Sequence, residues 1–496
     1  MIARRMMMMK IRELLDHISP CRVKGDLDQD IKSLEMDSRL VSEGALFFCI
    51  RGFTVDGHDY AAQAADRGAV AFLTEEELPV DGTQLIVRDS RRAMAQLAAR
   101  FYNYPSDRMT MIGVTGTNGK TSVTHFIQDL LKRAGTEAGM IGTMYTELKG
   151  IQTETVNTTP ESFTLQKRLN EMYLAGAEAV TMEVSSHALH LGRVHGTAFD
   201  VAVFTNLSQD HLDYHQTMDQ YAQAKSLLFS QLGSGGETDA YKRAVINVDD
   251  SYADIMLGAS AVPVITYGIE KPCDVRAEDL EVSPEGIRFT IRLNQQSYPV
   301  QLKLAGTFSV YNALAAFAAV YAIGIEPEQA ARFLSELPQV RGRFERVETD
   351  APFHVIVDYA HTPDGLENVI RTAKETTDRP VTVVFGCGGD RDRKKRPLMG
   401  KLAEDLADHV ILTSDNPRSE NPEAIIQDIL SGMSKDNHTV QTDRKAAITH
   451  AIMNATEGEV IVIAGKGHET YQITGDVTLD FDDRKVSLEA VKERYS

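Results

Sequence analysis

Apolar positions along this chain follow two rhythms that keep trading places: short unbroken runs, and stretches in which they return every third or fourth residue. In the first hundred residues, strand-like runs at 31–36, 45–50, 70–73 and 85–87 trade with helical patterns at 59–67 and 91–102. A further run at 109–114 leads straight into Gly116-Thr117-Asn118-Gly119-Lys120-Thr121-Ser122. After it, Val123, Phe126, Ile127, Leu130, Leu131 and Ala134 recur at helical spacing. That order predicts strand, glycine loop, helix. Towards the C-terminus, strands at 354–357, 381–385, 409–413 and 460–464 trade with helices near 365–374, 398–406, 423–432 and 444–455. Such alternation predicts a parallel sheet with helices on both faces.

The fold class is therefore α/β in three domains: a small α/β domain over 1–107, a central domain around the glycine loop over 108–338, and a C-terminal domain over 339–496. A chain of 496 residues has room for three separate cores. The stretch Pro338-Gln339-Val340-Arg341-Gly342-Arg343 reads as the hinge before the last domain.

The glycine loop carries the first chemistry. Loop glycines let backbone N–H groups close on a phosphate, which then sits at a helix N-terminus carrying partial positive charge. Lys120 would meet the β- and γ-phosphates and the Thr121 hydroxyl a Mg²⁺ ion. The usual pattern places a glycine five residues before Gly119; here Val114 stands there, flanked by Gly113 and Gly116, so the loop is a shortened variant.

Further polar groups cluster where strands end. Glu183 and Ser185 leave the strand that starts at Ala179, and a carboxylate there can hold Mg²⁺ directly or through water. Asp210, His211, Asp213 and His215 crowd the segment after 201–205, as metal or proton-transfer sites do. Lys225, in an apolar-periodic helix, reads by itself as a surface lysine laid along the core. Asn157-Thr158-Thr159-Pro160-Glu161 is a hydroxyl-rich turn suited to gripping a polar substrate or to capping. In the first domain Asp37-Ser38-Arg39 and the turn 52–58 stand where strands end, and by sequence alone are ordinary turns. The C-terminal sheet ends in Asp358-Tyr359-Ala360-His361, in Gly386 to Asp392, in Ser414-Asp415-Asn416-Pro417-Arg418 and in Gly465-Lys466-Gly467-His468-Glu469. In sheets of this kind ligands bind beyond the carboxyl ends of the strands.

Composition narrows the field. A formal charge of −19 argues against nonspecific binding to nucleic acid or anionic membrane, both polyanions. The four cysteines, Cys21, Cys49, Cys273 and Cys387, form no CxxC pair, so neither a zinc site nor a disulfide framework is indicated, and a reducing, cytoplasmic setting follows. The basic start, MIARRMMMMK, is too short in apolar residues for a signal-peptide core. Met9 reads as the true start, with residues 1–8 carrying no function.

Together TGTNGKTS, NTTPES, MEVSSHAL, FTNLSQDHLDYH, YAQAKSLLF, SVYNALAA, VRGRFE, VDYAHTP, GCGGDRDRKKRP, SDNPRSENP and AGKGHETYQ resemble the motifs of the Mur ligases, in that family's order, across 10–490. The resemblance implies a UDP-binding N-terminal domain, a central ATPase domain and a C-terminal Rossmann-like domain that brings the amino acid. It implies ATP as co-substrate and two Mg²⁺ ions, one held by Thr121 and Glu183, the other served by His211 and by Lys225 as a carbamate. A protonated ammonium repels a metal, whereas its CO₂ adduct offers an anionic oxygen.

By the same resemblance, Gly116 to Ser122 form the ATP loop and Asn312, Arg343 and Asp358 contact the nucleotide. Ser38 with Phe53, Thr54 and Val55 hold the uridine diphosphate, and Asn157, Thr158, Thr159, Ser185 and Arg193 the muramoyl dipeptide. Leu191 departs from many relatives, which carry a polar side chain near that position, and receives no contact. Family members that add meso-diaminopimelate carry Asp-Asn-Pro-Arg in the third strand-end loop, as Asp415, Asn416, Pro417 and Arg418 do here. A guanidinium offers the second carboxylate of that amino acid a bidentate partner, which lysine cannot use. Arg391 is the second expected cation, and Gly465 and Glu469 the partners of the distal ammonium.

The resemblance further implies a monomer whose partners are small molecules: UDP-N-acetylmuramoyl dipeptide, ATP and meso-diaminopimelate. The base that deprotonates the incoming amine stays open, with His211 and His361 as candidates. Three alternatives remain at this level. They are a lysine-adding ligase of the same family, a folylpolyglutamate-type ligase, and a P-loop GTPase or regulatory ATPase that only binds. The last has no use for Lys225, and no guanine-reading Asn-Lys-x-Asp is present.

Overall fold

The computed structural model describes residues 8–15, 21–52, 55–155, 157–233, 242–283 and 286–496. The reading of the first seven residues, and the expected contacts of Phe53 and Thr54, lie outside these. The chain packs into two compact units. The first comprises residues up to Thr115 with Gly135–Ala202 and Leu227–Arg243; the second comprises Gly116–Ala134, Val203–Ser226 and Ala244–Ser496. These units run through the central stretch of sequence instead of around it.

In the first unit a five-stranded sheet has the order Arg22–Lys24, Thr83–Ile86, Ala69–Thr74, Ala45–Phe48, Ser33–Glu35. All pairings are parallel except that of Arg22–Lys24. Every residue of Ala45–Phe48 is buried, because both faces are covered. Leu46 and Phe48 pack with Ile11 and Leu97 on one side, and Phe47 with Ala61 and Ala64 on the other. The helical pattern at 59–67 begins as a 3₁₀ turn, Gly57–Tyr60, capped by Asp56, before the helix Ala61–Asp66.

The same unit holds the parallel strands Ala138–Ile141, Ala179–Glu183 and Thr110–Thr115. Register places Glu183 opposite Val114, at the carboxyl ends of their strands and two residues before Gly116 in sequence.

In the second unit the glycine loop opens the helix Lys120–Arg133, whose apolar face packs on the helix Thr307–Ala322. Strands Val275–Ser283, Gly286–Leu293 and Gln296–Leu302 form an antiparallel meander that the sequence reading did not anticipate. From Ile287 to Leu293 apolar buried residues alternate with Arg288, Thr290 and Arg292, a period-two signal that the sequence reading passed over.

The C-terminal sheet, also in the second unit, has the order Glu345–Val347, His354–Asp358, Val460–Ala464, Val381–Phe385, His409–Leu412, His438–Val440. All but the first strand run parallel, as the alternation predicts. Val381, Val383 and Phe385 point into one apolar core and Val384 into the other, so helices cover both faces. Asp358, Gly386, Thr413 and Gly465 follow or end these strands on one edge, where every loop singled out from the sequence emerges. No helix among the described residues is long and apolar enough to cross a membrane.

Candidate active site

Backbone conformation explains the glycines of the phosphate loop. Gly116 has φ +150° and Gly119 φ +85°. A Cβ at Gly116 would run into Thr205 Oγ1 and one at Gly119 into Asn312 Oδ1, so neither position takes a side chain. The segment after the strand Val201–Phe204 pins the loop from the side. Thr205 Oγ1 and Asn206 Nδ2 donate to Asn118 O at 2.6 and 3.2 Å, and Asn118 N donates to Asn206 Oδ1 at 2.9 Å. Thr117 Oγ1 accepts from Ser208 N at 3.0 Å. From the C-terminal region Asp364 Oδ2 accepts from Asn118 Nδ2 at 2.6 Å and from Ser208 Oγ at 3.3 Å. The loop is thereby held open-faced before any ligand is considered.

Two lysines converge on it. Lys120 Nζ donates to Gly116 O and Thr117 O at 3.0 and 2.8 Å. Lys225 Nζ reaches Gly116 O at 2.7 Å and stands 4.5 Å from the centroid of the Tyr221 ring. Lys225 is only 1% exposed, which corrects its reading as a surface lysine: the helix Met218–Ser230 turns that face into the loop. Burial, then the charge of Lys120, pushes its ammonium well below the ordinary lysine range, against the pull of Asp210.

Asp210 gathers the next group. It is buried and faces His211 Nε2 at 3.3 Å, Lys395 Nζ at 3.8 Å and His361 Nε2 at 3.9 Å. Burial by itself would raise its pKa, but His211, Lys395 and His361 outweigh it and hold the carboxyl below its usual range. Desolvation and Lys395 push His361 down to about 4.

Arg343 sits on the loop. Its Nη2 donates to Thr121 Oγ1 at 2.9 Å, and its guanidinium carbon lies 4.5 Å from the centroid of the Tyr359 ring. Among the described residues its buried Nε has no hydrogen-bond partner. Asp358 receives Phe344 N at 2.6 Å and Ala360 N at 2.7 Å, and burial raises its pKa although Arg343 opposes this. Beside these groups a cavity of about 260 Å³ is lined by Ser122, Phe126, Phe308, Asn312, Arg343 and Phe344, among others. Its size and its aromatic, amide-bearing wall suit a purine base.

At the far strand ends of this unit a second polar nest forms. Asn416 Nδ2 donates to Glu469 Oε2 at 2.9 Å, while Asn416 Oδ1 accepts from Lys466 Nζ at 3.0 Å. Lys466 also pairs with Glu469 at 3.1 Å and is fully buried. Burial and Asp415 raise the pKa of Glu469. Gly465 packs so closely on Asp415 Oδ2 that a Cβ there would collide. Arg418 Nη1 donates to Gly389 O at 2.8 Å. Pro417 is buried in the same loop, and Arg391, exposed, donates Nη1 to Asp390 O at 2.9 Å.

The first unit holds its own cluster. Glu183, 1% exposed, accepts from Thr143 N at 2.8 Å and Thr143 Oγ1 at 3.0 Å. Thr158 Oγ1 accepts from Thr143 Oγ1, and Thr159 Oγ1 donates to Glu183 O at 2.8 Å and accepts from Ser185 N at 3.1 Å. Arg193 donates to Thr159 O at 3.2 Å and pairs with Glu161 at 2.8 Å; its Nε is buried with no partner among the described residues. Asn157 stands exposed at the start of this turn. Ser38, buried, donates to Gln63 Oε1 at 2.6 Å, and Val55 is exposed.

Sequence reasoning gave no role to Tyr359, Asp364, Lys395 or Lys466. Each lies inside or beside a motif, but only folding shows what it touches.

A glycine loop opening a helix and a strand-end polar nest, on α/β units of this kind, fit a ligase, and the chain belongs to the Mur ligase family. Residues 30–102 match the family's catalytic domain, 114–320 the Mur ligase middle domain, and 342–467 the Mur ligase glutamate ligase domain. Its architecture is the family's three-domain α/β arrangement. The UDP-N-acetylmuramoyl-L-alanyl-D-glutamate--2,6-diaminopimelate ligase of Geobacillus thermodenitrificans is 52% identical over 488 residues, covering 98% of this chain and all of that one. The ligase of the same name from Bacillus velezensis is 50% identical over 486 residues, 98% of this chain and 99% of its own. A solved structure of a ligase of that name superposes with a TM-score of 0.70 at 33% identity, over 99% of this chain and the whole of the other.

Proposed function

We propose that this protein is the ATP-dependent ligase that joins meso-2,6-diaminopimelate to the D-glutamate side-chain carboxylate of UDP-N-acetylmuramoyl-L-alanyl-D-glutamate, in cytoplasmic peptidoglycan precursor synthesis. The observation that carries the reading is the pairing of two built sites in one compact unit: a phosphate loop capped by Arg343, and a strand-end nest containing Asp415, Asn416, Arg418 and Glu469. The names of relatives about half identical over the full chain point the same way.

A carboxylate does not accept an amine at neutral pH, so a leaving group comes first. The γ-phosphoryl of ATP passes to the glutamate carboxylate, giving an acyl phosphate and ADP; the amine then attacks the acyl carbon, and phosphate leaves as the amide forms. Lys120 turns from the loop carbonyls to the phosphates, and Arg343, whose Nε lacks a partner among the described residues, supports charge on the transferred group. Asn312 and Asp358 hold the nucleoside. Ser38 and Val55 take the uridine diphosphate, and Asn157, Thr158, Thr159, Ser185 and Arg193 the sugar dipeptide. Arg418, with Arg391, takes the distal carboxylate of diaminopimelate, and Gly465 and Glu469 its ammonium.

Among the described residues no three His, Cys, Asp or Glu side chains surround one point that could hold a metal. Mg²⁺ keeps waters and phosphate oxygens and takes only one or two protein oxygens. Thr121 in one unit and Glu183 in the other each carry an oxygen of the kind Mg²⁺ takes, and such an ion would neutralise phosphate charge. Lys225 as an amine does not fit a metal. Burial lowers its pKa and so favours the uncharged amine, the form that would add CO₂ with loss of a proton; the resulting anionic oxygen, with His211, would suit a second ion.

The test is phosphate release from ATP with UDP-N-acetylmuramoyl-L-alanyl-D-glutamate, comparing diaminopimelate, lysine and glutamate as acceptors. Diaminopimelate alone should give sustained release with stoichiometric tripeptide. Equal use of lysine would transfer the assignment to the lysine-adding branch, and use of glutamate on a folate would abandon it.

A further inference from the structure

The residues 470–481 form a structural strap that the proposed reaction does not use. Strands Tyr471–Thr474 and Val477–Asp480 pair as an antiparallel hairpin, closed at its base by Phe481 N donating to Thr470 O at 2.9 Å. The outer strand is exposed at every position, and Val477 and Leu479 are 55% and 51% exposed. A two-stranded hairpin without a packed face is marginal in water. What fixes it is the inner strand, whose Tyr471 ring centroid lies 5.4 Å from Lys466 Nζ and whose next residues bond to the Asp415–Arg418 loop.

Four hydrogen bonds make the junction. Gln472 Nε2 donates to Asp415 O at 2.7 Å, and Ile473 N donates to Asn416 Oδ1 at 3.0 Å. Arg418 N donates to Ile473 O at 3.1 Å, and Gly475 N to Arg418 O at 2.7 Å. Arg418 therefore bonds to the hairpin through both its main-chain groups, as an added strand residue would. It does so at φ +53°, a conformation a side-chain-bearing residue adopts only under constraint. That backbone turn aims the guanidinium back over Gly388 and Gly389, where a Cβ on Gly388 would approach Nη1 to 3.0 Å.

We propose that the hairpin sets amino-acid selectivity, with Gln472 as a positioning residue: its amide locks Asp415 O and so holds Arg418 where a second carboxylate can meet it. Gln472 touches no substrate. The proposal rests on the reading that Arg418 receives that carboxylate, and it adds why the arginine is rigid enough to discriminate. A loosely held guanidinium would follow either ligand at small cost, whereas a fixed one left unpaired by lysine penalises it.

The test compares Gln472→Leu, which removes the donor at similar size, and Gln472→Glu, which sets a carboxylate against a carbonyl, with Leu479→Ser on the outer strand as control. The expected result is a rise in KM for diaminopimelate of about fivefold, the scale of one lost hydrogen bond. It comes with a similar fall in the ratio of kcat/KM for diaminopimelate over lysine, unchanged KM for ATP and UDP substrate, and no change in Leu479→Ser. Unchanged KM and ratio in both Gln472 variants would overturn the proposal, as would a parallel loss for all three substrates with a lowered Tm. The wild-type enzyme in the same series separates the two ideas: if it fails to prefer diaminopimelate, the underlying reading falls, whatever Gln472 does.

Discussion

Arg343 Nη2 lies 2.9 Å from Thr121 Oγ1, so a residue of the segment entering the C-terminal region is hydrogen-bonded to the first turn of the phosphate-loop helix, 222 positions earlier in the chain. Thr121 is the loop hydroxyl expected to meet Mg²⁺, and the arginine beside it has a buried N–H with no partner among the described residues. Arg343→Ala should therefore lower kcat by about a hundredfold, the scale of one lost transition-state donor, while leaving affinity for the UDP substrate within about twofold. Steady-state kinetics and substrate-binding calorimetry check this. Equal losses in both would contradict it.

Tyr359 is what keeps that arginine flat. Its ring has the Arg343 guanidinium carbon at 4.5 Å, His361 at 4.8 Å between centroids and His468 at 5.1 Å. Tyr359→Leu removes the aromatic face and should lower kcat about tenfold. Tyr359→Phe, which keeps the face, should retain nearly full activity. If both variants lose equally, the hydroxyl and not the ring is responsible.

Lys225 separates stability from activity. Burying an amine is costly, and Gly116 O keeps Lys120 as a donor when Lys225 is removed. Lys225→Met should leave the unfolding free energy unchanged or raised by about 1 kcal/mol, measured by urea titration, while turnover falls by two or more orders of magnitude. Partial recovery with added short carboxylates would mark the missing group as an anionic oxygen.

His468 and His361 set a pH response. Burial with Arg343 and Arg341 pushes His468 down to about 3, and desolvation with Lys395 pushes His361 to about 4, from an ordinary value near 6.5. In the folded chain both stay neutral where the unfolded chain takes up protons, so the unfolded state binds more protons and stability rises with pH across that window. Stability should therefore be intact above pH 6.5 and fall as pH drops from there towards 4. His468→Gln, followed by thermal unfolding across pH 4–8, should flatten part of that slope.

Much was legible in the sequence because it is local. Strand and helix positions of the C-terminal sheet follow from apolar periodicity, and the strands at 381–385 and 460–464 form where expected. Gly116 and Gly119 announce the phosphate loop, because a left-handed backbone tolerates little else. The motif order sufficed to place the family, the loop residues and the strand-end nest on one edge of a parallel sheet.

What tertiary structure alone decided depends on residues far apart in the chain. Lys225 reads as a surface side chain until a loop 109 positions earlier covers it. The segment from Asp210 to His215 reads as a metal or proton-transfer site, but that Asp210 meets His361 and Lys395 as well as His211 shows only in the folded chain. Arg418 stands out by motif, but its fixed direction comes from a hairpin, and although that hairpin's own sequence alternates apolar and polar residues, nothing in it says which loop it pairs with. Periodicity records which face each element buries; which partner it buries that face against, and hence which charges meet, is set by long-range packing that no local pattern encodes.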